Sequence, residues 1–480
     1  MSAINGKRVP LVVDLDGTLV RTDLLCEVLF TLLRHRPWRF LLLLPALLRG
    51  RAALKARVAA EIELDPHRLP WNEAVVEFVQ ARAATGQPIW LATAADQRHA
   101  ETVARHLGLF DRIFASSPGH NLKGWRKVEA LRKVAPAGFD YIGDAGADWP
   151  LLLEARRGWT AGPAAERLAR AASRRGARVE ALPGDDSPTG GGISLVQLIR
   201  PHQWLKNALV LLPLVTAHHW HDAATVTNSL LALAAFCLVA SAAYVLNDLL
   251  DVEHDREHPR KRERPIASGA VSQPLALGLL PLLLLAATGL ALPLPWQAAA
   301  ALLAYFLLTT LYSVYLKRVA FIDILTLTLL YNLRIVCGAA AAGIWLSYWL
   351  VAFTLFLFLA LATMKRVNEL RELSGAADQR AIGRGYVSGD ERLLLPFGIG
   401  CSMAATVVLG LYMTGDTMRE VYSRPLSLVA LVPVVLLWQG HLWLATIRGR
   451  MHDDPLVYAV RDPATWGAGA VALGLFVASL

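Results

Sequence analysis

Three acids at the end of a long apolar run could bind a metal ion. Asp248, Asp251 and Asp255 are spaced i, i+3 and i+7, so on a helix they share one face. Carboxylates gathered where a membrane helix meets water repel one another, and a hard divalent cation removes that cost. Mg²⁺ is the usual ion where phosphate oxygens complete its shell. The Arg-rich stretch that follows could contact those phosphates, although an ordinary positive-inside loop with solvated acids is the alternative.

A second pair of acids follows a short apolar strand near the N-terminus. Asp14 could attack phosphorus and form an aspartyl-phosphate, and Asp16 could protonate the leaving alcohol and then activate water. Gly17 permits the tight turn that points both carboxylates at one place. The strand and its DxDGT sequence resemble the first motif of the haloacid dehalogenase phosphatase superfamily.

That resemblance implies further residues in a fixed order, and the sequence contains them. A second predicted strand ends at Thr93, whose hydroxyl would hold the transferring phosphoryl group. Lys127 opens the KVEAL helix and is preferred to Lys123 as the lysine of the family. The implied catalytic residues are Asp14, Asp16, Thr93 and Lys127. The implied ligands of one Mg²⁺ are Asp14, Asp16, Asp144 and Asp148, the last two after a third strand. An inactive phosphatase fold kept as a scaffold is the alternative.

The composition of the whole chain is typical of a membrane protein. Of 480 residues, 55% are hydrophobic and 18% are charged, and the apolar runs follow a more polar N-terminal part. About nine segments are long enough, or nearly so, to span a bilayer. They lie near 205–218, 225–247, 275–294, 296–316, 320–344, 347–364, 393–414, 425–446 and 464–480. The net charge of +9 needs no nucleic acid, because Lys and Arg cluster in loops that the positive-inside rule places in the cytoplasm.

These patterns divide the chain into three regions. Residues 1–182 are predicted to form an α/β Rossmann-like domain, in which the insertion at about 21–86 is a helical cap. Pro, Gly and Asp mark a linker at 183–194. Residues 195–480 are predicted to form an all-α polytopic membrane domain. An apolar segment of the cap, flanked by basic residues, fits either a helix in the membrane interface or a buried helix.

The membrane region resembles the UbiA-type intramembrane prenyltransferases. The resemblance covers about 195–480 and is carried by N-D-x-x-D-x-x-x-D, which begins at Asn247. In that family this motif binds Mg²⁺ and the diphosphate of a prenyl donor. A second aspartate-rich motif is expected between predicted spans six and seven, where the sequence is mainly basic instead. That departure argues against an ordinary prenyl diphosphate as donor.

Within this superfamily the chain also resembles the decaprenyl-phosphate phosphoribosyltransferases. The resemblance rests on RPHQWLKN at 200–207, the aspartate-rich stretch at 247–269, YNLRIVCGAAAAG at 331–343 and KRVNEL at 365–370. That branch transfers ribose 5-phosphate from phosphoribosyl pyrophosphate (PRPP) to a polyprenyl phosphate and releases pyrophosphate. PRPP carries a diphosphate for the metal and acids and a separate 5-phosphate for cations, which Arg and Lys supply.

The resemblance assigns binding roles to cations and acids near the membrane surface. One or two Mg²⁺ would be held by Asp248, Asp251 and Asp255. The implied substrate-binding residues are Lys206, Asn247, Asp248, Asp251, Asp255, Lys261, Arg264, Lys317, Arg334, Lys365, Arg366, Glu369 and Arg384. For Arg334, as for Asp323, a purely structural pairing is equally open. A solvated basic loop is the alternative for the residues from 365 onward.

The fusion of the two domains indicates two successive reactions. Phosphoribosyl transfer leaves a lipid-linked ribose with its 5-phosphate, which a phosphatase in the same chain could remove to give polyprenyl-phosphoryl-ribose. Tethering would raise the effective concentration of that product at the second site. The protein is then a multi-pass enzyme of the bacterial inner membrane with both sites on the cytoplasmic side, and a homo-oligomer stays open. The alternatives are a conventional prenyltransferase with an unrelated phosphatase, and a non-enzymatic N-terminal binding or regulatory module.

Overall fold

The chain forms two compact units, which are described in turn. A computed structural model describes residues 9–40, 43–117, 119–144, 146–162, 164–182, 192–373, 385–387, 389–415, 425–451 and 454–479. The first unit consists of residues 1–200 and 244–282, and the second of residues 201–243 and 283–480. Two long helices contribute residues to both units.

A six-stranded parallel sheet is the centre of the first unit. Its strands are β1 Leu11–Val13, β2 Ile89–Asp96, β3 Arg112–Ser116, β4 Asp140–Gly143, β5 Gly158–Thr160 and β6 Val179–Ala181. They are ordered β3-β2-β1-β4-β5-β6, and all pairs are parallel. β1 is completely buried, as expected for a parallel strand covered on both faces. The three strands predicted from the sequence are β1, β2 and β4, so the predicted Rossmann-like fold is confirmed.

Helices cover the sheet and build the cap. They are α1 Leu24–His35, α2 Pro37–Phe40, α3 Leu44–Leu48, α4 Arg51–Glu61, α5 Glu73–Ala84, α6 Gln97–Leu107, α7 Trp125–Val134, α8 Trp149–Glu154, α9 Ala165–Ser173 and α10 Gly192–Ile199. Helices α1 and α4 share a small apolar core of their own, formed by Val28, Leu32, Leu54 and Val58. The apolar segment of the predicted cap is therefore divided among three helices, of which α2 and α4 pack onto α1 and α3 packs onto α4.

The remaining helices are mostly long and apolar. They are α11 Leu212–Thr216, α12 Ala223–Leu250, α13 Val252–Glu257, α14 Gln273–Ala291, α15 Trp296–Val314, α16 Ile322–Ala342, α17 Tyr348–Leu373, α18 Glu391–Met413, α19 Pro425–Val429, α20 Leu431–Ile447, α21 Pro455–Arg461 and α22 Pro463–Ser479. Within the described residues, seven helical segments are long and apolar enough to cross a membrane. They coincide with the seven inner segments of the nine predicted.

The first and last predicted spans are shorter than expected. The first is a 3₁₀ segment, Pro201–Leu211, followed by the five-residue α11, which has Pro213 in its first turn. Proline has no backbone N–H to continue the preceding hydrogen bonds, so a new helix begins there. The last, α22, has 17 residues.

Close helix packing in the second unit depends on small residues. A Cβ on Gly398 of α18 would lie 2.5 Å from the ring of Trp443 on α20. A Cβ on Gly338 of α16 would lie 1.8 Å from the carbonyl oxygen of Val210 in the 3₁₀ segment. Glycine at these two positions lets the neighbouring segments approach as membrane helices do at small residues.

Candidate functional site

Three acids meet at the carboxyl ends of two neighbouring strands in the first unit. Asp14 follows β1 and Asp144 follows β4, at the point where the strand order reverses, which is where ligands of such sheets bind. Carboxylate oxygens of Asp14, Asp144 and Asp148 lie within 4.8 Å of one another. Lys127, at the start of α7, donates from Nζ to Oδ1 of Asp14 at 2.7 Å and lies 3.6 Å from Oδ1 of Asp148.

Burial and mutual repulsion shift the pKa values of this cluster, which contains more acidic than basic groups. Burial, assisted by the charge of Asp148, raises the pKa of Asp14 well above its usual range, although Lys127 opposes the rise. Burial and the charges of Asp148 and Asp16 raise the pKa of Asp144 to about 7. Burial alone would lower the pKa of Lys127, but Asp14 and Asp148 raise it above its usual value. One ammonium group does not balance the charge of three carboxylates.

This donor set fits a magnesium ion. It offers only oxygen ligands, which Mg²⁺ prefers, and the acids that would hold the ion are Asp14, Asp144 and Asp148. The hydroxyl of Tyr141 on β4 donates to Asp148 at 2.8 Å and fixes that carboxylate. Gly17, with φ of +77°, leaves space for Asp144, whose Oδ2 would lie 2.1 Å from a Cβ at that position. A bound cation would supply the positive charge that a transferring phosphoryl group needs.

The other predicted residues of this site are Asp16, after β1, and Thr93, within the neighbouring strand β2. The Oδ1 atom of Asp16 accepts a hydrogen bond from the backbone N–H of Leu24, the first residue of α1, at 3.0 Å. Burial and the charge of Asp23 raise the pKa of Asp16 to about 6. Thr93 is buried on β2 and accepts from the N–H of Ala95. Lys123, in contrast to Lys127, is exposed.

The acids of the aspartate-rich stretch form ion pairs with arginines. The guanidinium of Arg200 donates to both oxygens of Asp248, at 2.6 and 2.7 Å. The Nη1 atom of Arg264 bridges Asp248 at 3.2 Å and Asp255 at 2.6 Å. Burial raises the pKa of Asp255 to about 6, although the charge of Arg264 opposes the rise. Arg264, which is predicted to bind phosphate, thus forms one connected cluster with Asp248, Asp255 and Arg200.

The three acids of this stretch do not share one helical face as their spacing predicts. Helix α12 ends at Leu250, and Asp251 is the N-cap of a new helix, α13. Asp248 and Asp255 face Arg264, whereas Asp251 pairs with Arg34 at 2.7 Å. Within the described residues, the one group of three or more such side chains close enough to share an ion is Asp14, Asp144 and Asp148.

Two predicted lysines of the second unit meet at one acid. The Nζ atoms of Lys206 and Lys365 lie 2.9 and 3.0 Å from the same oxygen, Oδ2, of Asp454. Asp454 caps α21 by accepting from the N–H of Leu456. Burial alone would raise the pKa of Asp454, but the charges of Lys365 and Lys206 hold it below its usual range. Two ammonium groups on one carboxylate leave an excess of one positive charge.

Arg366 lies inside the helices of the second unit. Its Nε atom donates to Asp323 of α16 at 2.5 Å, and its other nitrogens donate to Glu369 and to the hydroxyl of Tyr312. Tyr386 donates to the second oxygen of Asp323 at 2.7 Å. Arg366 is 1% exposed and Asp323 is fully buried, so this network satisfies charges that would be costly without partners.

The remaining predicted residues are distributed over both units. Arg334 of α16 is buried and donates to Asn207 at 3.0 Å and to the hydroxyl of Tyr305 at 3.1 Å. Its guanidinium also stacks on three aromatic rings, which favours a structural role. Lys317 is buried in a 3₁₀ turn. Asn247 is half-buried, and Lys261 is exposed. Arg384 lies outside the described residues.

Three partners of the site residues were not singled out from the sequence. Arg200 begins the RPHQWLKN motif, and its φ of 53° lies in the left-handed region that side chains rarely adopt, which is a strain typical of functional sites. Asp454 lies in a segment whose role the sequence does not indicate. Arg34 belongs to the cap. Membership of the RPHQWLKN motif was a signal that could have identified Arg200.

A substitution at Gly17 tests the proposed metal site. Gly17→Ala would bring Cβ against Asp144, so the half-saturating Mg²⁺ concentration for hydrolysis of p-nitrophenyl phosphate should rise at least about tenfold. Gly108→Ala is the matched control, because Gly108 also has positive φ but open space around Cβ. It should cost about 1 kcal/mol of stability and leave the Mg²⁺ requirement unchanged. Equal Mg²⁺ requirements for both variants and the wild type would contradict the assignment.

Comparison with known proteins agrees with this two-domain architecture. The haloacid dehalogenase-like hydrolase family model matches residues 11–153, and the UbiA prenyltransferase family model matches residues 208–457. An uncharacterized protein of Sinorhizobium fredii is 36% identical over 99% of this chain and 92% of its own. The nodulation protein NoeC of Azorhizobium caulinodans is 34% identical over 55% of this chain and 85% of its own.

A third relative bears the name of the branch that the motifs resemble. The decaprenyl-phosphate phosphoribosyltransferase of Mycobacterium tuberculosis is 31% identical over 56% of this chain and 88% of its own. The family match over residues 208–457, together with the apolar helices, identifies a multi-pass membrane protein. The chain belongs to the UbiA prenyltransferase family and carries an N-terminal phosphatase domain of the haloacid dehalogenase-like hydrolases.

Proposed function

We propose that this protein makes polyprenyl-phosphoryl-ribose in two steps. The UbiA domain transfers 5-phosphoribosyl from PRPP to a polyprenyl phosphate and releases pyrophosphate, and the phosphatase domain then removes the 5-phosphate. Both steps depend on Mg²⁺. The enzyme works in the bacterial inner membrane with both sites on the cytoplasmic side, which is the side that its Arg- and Lys-rich loops favour.

The observation that carries the choice of donor is the pair of lysines on Asp454. Conventional family members are expected to have a second aspartate-rich motif after the sixth predicted span, and Lys365 lies there instead. With Lys206, it surrounds one carboxylate with two ammonium groups. A phosphate could take the place of Asp454 as partner of these lysines, which suits a donor with two separate phosphate groups. The name of the mycobacterial relative, a decaprenyl-phosphate phosphoribosyltransferase, supports the transfer of a phosphoribosyl group.

The transfer needs no general base. A phosphate oxygen of the polyprenyl phosphate is already an anion when it attacks the anomeric carbon of the ribose. The bond from that carbon to pyrophosphate breaks, and pyrophosphate leaves with the bonding electron pair. A bound Mg²⁺ would neutralise the charge that develops on this leaving group. Arg200 and Arg264, which pair with Asp248 and Asp255, would orient the diphosphate.

The phosphatase step follows from the arrangement around Asp14. Its carboxylate attacks the 5-phosphate, and the bond between phosphorus and the ribose oxygen breaks. Asp16, whose pKa is raised to about 6 by burial and the charge of Asp23, donates a proton to the leaving oxygen. Water then cleaves the aspartyl-phosphate with Asp16 as base. Lys127 neutralises Asp14 beforehand and the phosphoryl group during transfer.

A nucleophile variant separates the two steps. Asp14→Asn should retain phosphoribosyl transfer but lose phosphatase turnover by at least about 10³-fold, because the attacking carboxylate is gone. With PRPP and polyprenyl phosphate, it should accumulate the 5-phosphorylated lipid, measured by mass spectrometry. Glu101→Gln is the control, because it neutralises an exposed acid of the same domain and should give the wild-type product. Identical products from all three proteins would refute the coupling.

The donor can be identified by ligand protection. With Mg²⁺, PRPP should raise the unfolding temperature of the wild type, whereas geranyl diphosphate should not. Lys206→Met removes one of the two cations at Asp454 and should weaken PRPP binding at least about tenfold, because charge-assisted bonds to phosphate contribute more than 1 kcal/mol each. The control Arg448→Ala removes an exposed cation of the same domain. Protection by geranyl diphosphate alone would favour a conventional prenyltransferase.

A comparison of two lysines tests the phosphatase centre. Lys127→Ala leaves Asp14 and Asp148 without their shared ammonium partner, and p-nitrophenyl phosphate hydrolysis should fall about 10²- to 10³-fold. Lys123→Ala removes an exposed lysine four residues earlier and should change the rate less than about twofold. A larger loss for Lys123→Ala than for Lys127→Ala would reverse the assignment of the family lysine.

A further inference from the structure

The cap of the phosphatase contacts the aspartate-rich stretch within the first unit. Arg34, in the last turn of α1, donates from Nη1 to Oδ1 of Asp251 at 2.7 Å and to the carbonyl oxygen of Leu250 at 3.0 Å. The side chains of Arg34 and Asp251 are 5% and 16% exposed. An ion pair this well shielded from water is stronger than one at the surface, and losing one partner is costly.

The position of these bonds matters more than their strength. Leu250 is the last residue of α12, so its carbonyl has no partner within that helix. Asp251 is the N-cap of α13. A cation is favourable at a helix C-terminus, and Arg34 binds both residues of the junction. It thereby fixes the turn between α12, which carries Asp248, and α13, which carries Asp255.

Further contacts extend the same face of α1. Glu27, Thr31 and Arg34 are spaced i, i+4 and i+7, which places them on one side of the helix. Glu27 accepts from Arg256 at 2.6 Å and from Gln273 at 2.7 Å. Thr31 donates to Glu253 at 2.6 Å. One polar face of α1 thus contacts the segment that runs from the end of α12 to the start of α14.

We propose that Arg34 is a positioning residue of the transferase, supplied by the phosphatase domain. It orients the Asp251 carboxylate and fixes the turn between the two helices, which sets the positions of Asp248 and Asp255, the two acids that share Arg264 and would hold Mg²⁺ and a diphosphate. Carboxylates that bind metal ions are commonly fixed by hydrogen bonds to one oxygen while the other serves the ion. The inference rests on the metal-binding role of these acids in the proposed function.

The consequence is that the transferase site of this chain is incomplete without the cap. Tethering alone would allow the two domains to act independently at high local concentration. A residue of one domain that orients a ligand of the other makes the N-terminal domain a requirement for binding the donor. Loss of Arg34 should therefore weaken the binding of the metal and diphosphate, and the phosphatase chemistry has no part in that effect.

Binding of magnesium pyrophosphate to the full-length protein tests this role. All proteins also carry Asp14→Asn, so that the signal comes from the aspartate-rich site. Arg34→Ala should raise the apparent Kd for pyrophosphate with Mg²⁺, measured by calorimetry, about 10- to 100-fold, the range for residues that orient metal ligands. Asp251→Asn should weaken binding at least as much. Arg68→Ala is the matched control, because it breaks the half-exposed ion pair with Glu257 in the same contact.

The outcomes separate this inference from the proposed function. Equal weakening by Arg34→Ala and Arg68→Ala would indicate only docking of the domains and would overturn the positioning role. Wild-type affinity in Arg34→Ala with weak binding in Asp251→Asn would overturn this inference alone. No binding to the parent protein, or no effect of Asp251→Asn, would overturn the metal site itself. If Arg34→Ala does not fold, Arg34→Gln replaces it, and wild-type affinity of that variant overturns the inference.

Discussion

Carboxylates held close together with little access to water are the constraint on which both sites depend. Each buried acid repels its neighbours and has lost hydration, so it is stable only next to a cation. At Asp14 the cation is Lys127, at Asp248 it is mainly Arg200, and at Asp255 it is Arg264. The partners differ in one respect. At the phosphatase centre one lysine contacts two of the three acids, whereas each acid of the aspartate-rich stretch has an arginine.

This difference has consequences for how the two sites would take up a metal. The phosphatase centre is already short of positive charge, so a cation relieves repulsion at once. At the aspartate-rich stretch, the guanidinium groups would have to turn from the carboxylates toward the phosphates of the donor. Arginine suits such an exchange, because its planar fork binds carboxylate and phosphate with the same geometry. Metal and donor are then expected to bind there together.

Much of the phosphatase centre could be predicted from the sequence, because parallel strands bring their carboxyl ends to one edge. Asp14, Thr93 and Asp144 each follow or lie in a short apolar run, and the sheet places those runs side by side. Lys127 could be preferred because it lies in the first turn of a helix. The partners of the membrane-surface residues had no such signal. Asp454 is 89 positions from Lys365, and Arg34 is 217 positions from Asp251. Local periodicity does not predict contacts between residues so far apart in the sequence. The spacing of the three acids also predicted one continuous helix, although α12 ends at Leu250.

Helix α1 touches an acid of each site at its two ends. Its first N–H binds Asp16, and its last turn carries Arg34 to Asp251. Twelve residues of helix span about 18 Å, and each residue turns the helix by about 100°. Inserting or deleting a single residue in α1 would therefore swing Arg34 away from Asp251 while the N-terminal end stays on Asp16. Relatives with this fusion are thus expected to vary the sequence of this helix more freely than its length.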